Sequence, residues 1–261
     1  VLSLAISPCP NDTFIFCGMA PHYRLVFDDV ESLNERAERG EFDITKISVA
    51  AYGRIRDDYA LLHAGGAAGF GVGPLLVART AREPGGRVAI PGERTTAFQL
   101  LQLLGTFDTV PMRFDLIEDA VLSGEVDCGV LIHEGRFTYA EKGLHKLADL
   151  GEVWEARMHC PIPLGAIAIR RSLGAEIARR VDEEIRASLR ASWANPAACA
   201  EFVSSHAQEM SPEVQQKHID LYVNDYSLEA DARSVERLIA LGEERGLYLR
   251  STKPIFGDVR G

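Results

Sequence analysis

The sequence predicts an α/β protein of two lobes with a ligand cleft between them. Three observations carry this expectation. Short apolar runs of strand length alternate with amphipathic stretches of helical spacing, as when strands are joined by crossover helices. Gly40–Glu41–Phe42–Asp43 recurs as Gly124–Glu125–Val126–Asp127, each time after an amphipathic stretch and before an apolar strand. Between the two copies, the glycine-rich run Leu61–Pro74 reads as a bend or crossover between lobes. The echo is too short for a true repeat, but it describes two lobes of similar construction, each presenting polar groups at a strand end. The expected division gives residues 1–77 and 170–261 to lobe 1 and residues 78–169 to lobe 2.

Each element follows from a local pattern. Leu2–Ile6 is a first strand. Ser7–Thr13 is a loop with two prolines and small polar groups, and the apolar Phe14–Ala20 after it forms a helical turn or more. Asn11 or Asp12 can cap that helix; the same polar groups and free amides also suit a ligand. Leu25–Phe27 is a second strand. Val30, Leu33 and Ala37 mark one face of a helix that Gly40 stops, and Phe42–Ser48 is a third strand carrying Lys46 and Ser48 to its end. The run Leu61–Pro74 holds no Gly-x-x-x-x-Gly-Lys phosphate loop and no Gly-x-Gly-x-x-Gly opening a helix. It is better suited to a hinge, and His63 within it reads as a hydrogen-bonded loop residue.

Leu75–Ala78 is a strand leaving the first lobe, and Val88–Ile90 opens the second. Ala97–Leu104 is a strongly apolar helix with Thr95 or Thr96 at its N-cap. One threonine suffices for a cap; two hydroxyls beside unsatisfied helix N–H groups also make a carboxylate site. Residues 116–123 are a helix, Leu147–Gly151 a short strand or edge, and Pro161–Ile169 a strand crossing back. Ile177, Val181, Ile185 and Leu189 recur every four residues in a long helix, and Asn195–Pro196 marks the next start. Ala232–Arg245 is a final amphipathic helix stopped by Gly246. Tyr222–Ser227 reads as a structural interruption, with a place at the border of the cleft as the alternative.

Composition narrows the function. The chain has 261 residues, 46% hydrophobic and 25% charged, as an ordinary globular protein does. Its 28 basic and 38 acidic side chains give a net charge of −10, with no basic run of the kind that tracks phosphates, so nucleic acid is not an expected partner. An anionic substrate needs local donors against that field. No stretch approaches a membrane span, and the opening lacks an export signal. Cys9, Cys17, Cys128, Cys160 and Cys199 are odd in number and scattered, which does not suggest a disulfide framework, and no CxxC pair exists for zinc. The expected location is the cytoplasm.

The apolar run Cys128–Ile132 ends abruptly in His133–Glu134–Gly135–Arg136–Phe137–Thr138–Tyr139. Strand carboxyl ends are where open α/β sheets bind ligands. An imidazole there can serve as a general base near neutral pH; the simpler reading is that His133 closes the strand and bonds a nearby carbonyl.

Taken together, Ser7–Pro8–Cys9–Pro10–Asn11–Asp12–Thr13–Phe14, Thr45–Lys46–Ile47–Ser48, Thr95–Thr96 and Ile132–Tyr139 resemble the 1,4-dihydroxy-6-naphthoate synthases of the futalosine route to menaquinone, over almost the whole chain. The resemblance implies the type II periplasmic-binding-protein fold. It implies a carbon–carbon lyase that converts cyclic dehypoxanthinyl futalosine to 1,4-dihydroxy-6-naphthoate, with a carboxylate-bearing small molecule as substrate and neither metal nor organic cofactor. It places the general base at His133 and substrate contacts at Lys46, Ile47, Ser48, Thr95 and Thr96. Asn11 is a further candidate for orienting substrate, as is Arg136, which has Glu134 as an alternative partner. Two rivals stand beside this reading. A chorismate dehydratase of the same pathway is expected to lack the opening motif and the His-Glu segment. A solute-binding protein would be exported.

Overall fold

A computed structural model describes residues 1–19, 21–81, 83–207 and 210–257. The chain begins in β1 (Ser3–Ile6), buried along its whole length, and turns through two prolines into helix α1 (Pro10–Phe16). Strand β2 (Arg24–Phe27) pairs parallel to β1. Helix α2 (Val30–Glu38) is capped by Asp29, whose carboxylate accepts from the N–H groups of Glu31 and Ser32. Strand β3 (Ile44–Ser48) then pairs along the other edge of β1, and α3 (Val49–Ile55) follows directly. The full burial of β1 and β3 is what parallel strands covered on both faces require. Strands β4 (Tyr59–Leu61) and β5 (Ala67–Gly69) are short.

A second sheet is built from β6 (Leu75–Ala78), β7 (Arg87–Ile90), β8 (Asp108–Pro111), β9 (Cys128–Leu131) and β10 (His145–Asp149), in the spatial order β10-β6-β9-β7-β8. Helices α4 (Thr96–Leu101), α5 (Ile117–Ser123) and α6 (Gly135–Thr138) lie between its strands in sequence. Helix α7 (Leu150–Met158), capped by Asp149, buries Trp154 completely. Strand β11 (Ile162–Arg170) carries the chain back and slots between β3 and β4, so the first sheet reads β2-β1-β3-β11-β4, with β5 on the early part of β11.

The α-helices of the described residues that follow are α8 (Ala175–Ala194), α9 (Ala200–His206), α10 (Pro212–Tyr222), α11 (Asp225–Leu228) and α12 (Ala232–Glu244). Val181, Ile185 and Leu189 of α8 are fully buried against Leu4, Ile15 and Phe16. Val235, Leu238 and Ile239 of α12 share a core with Tyr52 and Ile55 of α3. Burying each such side chain contributes roughly 1.5–3 kcal/mol.

The two copies of the Gly-Glu-x-Asp echo behave alike. Gly40 (φ 65°) and Gly124 (φ 82°) both adopt the left-handed conformation just after a helix, which glycine reaches without a Cβ penalty. A buried strand, β3 or β9, follows each.

The two crossings are themselves sheet strands: Leu75–Ala78, read as leaving lobe 1, pairs in the second sheet with β9 and β10, and Ile162–Arg170, read as crossing back, pairs in the first. A fully apolar strand suits the middle of either sheet, so its pattern does not say which it joins. The glycine-rich run holds a strand, β5, paired to β11. Helix α1 starts at Pro10, so Cys9 is the cap residue and makes no side-chain cap bond, whereas Asn11 and Asp12 lie inside the first turn. The apolar stretch read from Phe14 leaves the α-helix after Phe16; its last residue, Ala20, lies outside the described residues.

Candidate active site

The carboxyl ends of β1, β3 and β9 and the amino end of α4 meet around a cavity of about 110 Å³. Asn11, Lys46, Ile47, Ser48, Thr95, Thr96, His133 and Arg136 all line it. Residues singled out at separate strand and helix ends thus come together at one place, between the two sheets.

On the first sheet's side, Lys46 Nζ lies 2.7 Å from Asp12 Oδ1 and donates to the Gly65 carbonyl at 3.1 Å. Both side chains are buried, so the pair depends on its other bonds to offset desolvation. Asp12 accepts from the Ser7 hydroxyl at 2.7 Å and from Asn11 Nδ2 at 2.9 Å. A Cβ at Gly165 would come within 2.8 Å of Lys46 Cε; glycine leaves the lysine its room. Asn34 exchanges two bonds with Ser48, donating to its Oγ at 3.1 Å and accepting from its N–H at 2.9 Å. Among the described residues no acceptor takes the Ser48 hydroxyl proton, which is available to a ligand.

On the other side, Thr95 is the N-cap of α4, its hydroxyl accepting from Phe98 N–H at 3.2 Å. Thr96 does something different: its hydroxyl donates to Leu164 O at 2.9 Å and accepts from Ala50 N–H at 3.3 Å. It therefore ties α4 to both α3 and β11. Arg136 forms an ion pair with Asp149 at 2.8 Å and also donates to the Gly73 carbonyl. Its partner is not Glu134, because α6 carries the guanidinium toward the end of β10.

His133 sits one residue past Ile132, in the left-handed region at φ 55°. Such a backbone costs on the order of 1–3 kcal/mol for a non-glycine residue and is most often found where the side chain must be aimed. Cys9 Sγ lies 3.3 Å from His133 Nδ1, and the Phe114 ring meets the imidazole edge-on at 4.7 Å. Either the thiol or Nδ1 donates across this contact; when the ring proton is on Nδ1, Nε2, which has no hydrogen-bond partner among the described residues, carries a free lone pair. Burial pushes His133 down to about 4, against the opposing pull of Asp12 and Asp29 and with help from Lys46. The ring is therefore neutral at neutral pH. Burial also raises the Cys9 thiol, which stays protonated. A second cavity of about 380 Å³, lined by Asp28, Asp29, Phe114 and His206, opens on the other side of His133. The imidazole stands in the wall between the two.

Several site residues were not read from the sequence. Ser7, Cys9 and Asp12 belong to a loop motif that the sequence sets beside a ligand without giving any of the three a role; the structure puts Asp12 on Lys46 and Ser7, and Cys9 on His133. His218 and Tyr222 of α10 also line the cavity, and the Tyr222 segment is thus more than a structural interruption. A signal existed for His218: it lies four residues after Val214 and four before Tyr222, on the inward face of an amphipathic helix. Among the described residues, no three His, Cys, Asp or Glu side chains are grouped to hold a metal ion.

Comparison with known proteins adds a second line of evidence. Residues 2–244 match the model of a family described as menaquinone biosynthesis. A 1,4-dihydroxy-6-naphtoate synthase from Thermus thermophilus is 46% identical over 98% of both chains. A protein of the same name from Streptomyces coelicolor is 48% identical over 87% of this chain and 86% of its own. Among solved structures, protein AF1704 from Archaeoglobus fulgidus has a TM-score of 0.89 at 35% identity, covering 94% of this chain and 98% of that one. The ligand-binding component of an ABC-type import system from Staphylococcus aureus has a TM-score of 0.72 at 10% identity, covering 98% and 96%. The aliphatic sulphonate binding protein of Escherichia coli has 0.66 at 10%, covering 97% and 89%. The last two show the fold alone, the two-lobed one of periplasmic binding proteins.

Proposed function

The chain belongs to the menaquinone-biosynthesis family that includes the 1,4-dihydroxy-6-naphthoate synthases, and we propose that it converts cyclic dehypoxanthinyl futalosine to 1,4-dihydroxy-6-naphthoate, releasing a sugar-derived fragment. One observation carries the reading: a neutral His133, its Nδ1 against Cys9 and its Nε2 free, at a strand end in the wall of a lined cavity. Nε2 takes a proton from the substrate. The carbon–carbon bond to the departing fragment then breaks, and formation of the aromatic ring drives the step. We assign this to a carbon–carbon lyase that works without an added cofactor.

The remaining groups bind. Lys46 supplies positive charge, Ser48 an uncommitted hydroxyl proton, and Thr95 and Thr96 the opening of α4, together suiting a substrate carboxylate and hydroxyls. Ile47 offers apolar wall, while Asn11 and Arg136 orient through Asp12 and Asp149. The odd number and scatter of the five cysteines suit a reducing cytoplasm, where we place the protein.

The test is a product assay on cyclic dehypoxanthinyl futalosine with no cofactor added, read by chromatography. Naphthoate that forms with wild type and vanishes with His133→Ala supports both reaction and base. Turnover of His133→Ala within a few-fold of wild type removes the base assignment. Tight binding without product turns the reading toward a solute-binding protein, the rival that the shared fold raises.

A further inference from the structure

The cavity holds a second imidazole that the reaction as derived does not use. His218, near the end of α10, is 1% exposed and lines the cavity beside Tyr222. Among the described residues neither of its ring nitrogens has a hydrogen-bond partner. Its neighbours are rings: Tyr222 at 4.9 Å, His133 at 6.1 Å and inclined by only 22°, and Phe137 at 6.4 Å. A neutral imidazole has one donor and one acceptor, and burying both unpaired works against folding. An apolar side chain would pack there without that cost. Nor does the helix need it, since α10 starts at Pro212 with its own Ser211 cap.

We propose that His218 is a substrate-contacting residue, which hydrogen-bonds an oxygen of the reacting ring system beside His133. This rests on the reading of the reaction given above. With ring centres 6.1 Å apart, the two imidazoles meet the same few atoms of a bound molecule. His133 removes a proton, and the electrons of the breaking carbon–carbon bond move into the ring that becomes aromatic. Negative charge then gathers on a ring oxygen, and a fixed N–H in a dry site stabilises it. His218 gives up no proton in this step; it donates only a hydrogen bond. Apolar crowding, reinforced by His133 and Lys46, pushes His218 down to about 3. It therefore stays neutral and does not compete with His133 for the proton.

Steady-state kinetics and thermal melting of wild type, His218→Leu and His218→Asn test this. His218→Leu is expected to lose turnover by roughly 100-fold or more, mostly in kcat rather than KM, while its melting temperature holds or rises. His218→Asn keeps an N–H donor and is expected to recover at least tenfold of that loss; it also guards against a packing defect in the leucine protein. A His218→Leu enzyme with kcat within threefold of wild type overturns the proposal. So does a loss of activity in both variants that follows a loss of melting temperature. If wild type makes no naphthoate, the reaction assignment falls and this proposal with it. Naphthoate from wild type with an unaffected His218→Leu overturns this proposal alone.

Discussion

Cys9 Sγ touches His133 Nδ1 at 3.3 Å, joining the loop after β1 in the first sheet to the end of β9 in the second. The contact spans the cleft and selects the nitrogen left free for chemistry. Partners of this kind orient a reactive imidazole; for metal-bound histidines, removing such a partner costs about 10–100-fold, and that serves as the scale here. Cys9→Ala should therefore lower kcat by about tenfold, with Cys9→Ser closer to wild type because its hydroxyl can accept from Nδ1. Steady-state kinetics decide it, and an unchanged kcat in Cys9→Ala would leave the contact without a role.

The protonation of His133 gives a pH prediction. Its folded-state value, about 4, lies below the ordinary 6.5, so the folded protein disfavours the charged ring. Stability from this group is fully present above 6.5 and is lost as pH falls through 4; His218, at about 3, acts in the same direction. Hence kcat/KM should stay level from pH 8 to below 6.5 and decline only toward 4, while the denaturant midpoint slides down below 6.5. An acid limb centred at 6.5 would contradict the half-buried, neutral base.

The Lys46–Asp12 pair makes a stability prediction. Lys46→Met strands the Asp12 carboxylate in the interior, and breaking a buried pair this way costs about 3–5 kcal/mol. Adding Asp12→Asn should restore part of the loss, because the uncompensated charge is gone. Urea unfolding of the single and double variants measures both. A Lys46→Met protein as stable as wild type would show the pair to be well solvated.

Thr95 and Thr96 separate binding from structure. Thr96→Val leaves Ala50 N–H and Leu164 C=O without their hydroxyl partner, and each unsatisfied buried group costs about 1–3 kcal/mol. Combined with Thr95→Val, it should raise KM more than it lowers kcat. A Michaelis constant that does not move counts against a substrate carboxylate at this helix.

Much of the cavity's first-sheet and second-sheet lining was legible because strand ends are marked chemically: an apolar run stops and polar groups begin, as at Lys46–Ser48 and Ile132–His133. Gly40 and Gly124 were legible for a sharper reason, since a left-handed residue after a helix strongly favours glycine. What stayed hidden depended on contacts between distant segments. Arg136 finds Asp149 only once α6 has turned, and nothing local tells β6 or β11 which sheet to join. His218 comes from a helix far along the chain, and only its docking on the cavity makes its position on the inward face meaningful.

The place of β11 between β3 and β4 has a consequence for how the protein is made. Ser48 and Tyr59 leave the ribosome early, yet the strand that joins their neighbours begins only at Ile162. By then every strand of the second sheet has emerged. The later sheet therefore has all its strands available before the earlier one, which lacks the strand between β3 and β4 until β11 is made.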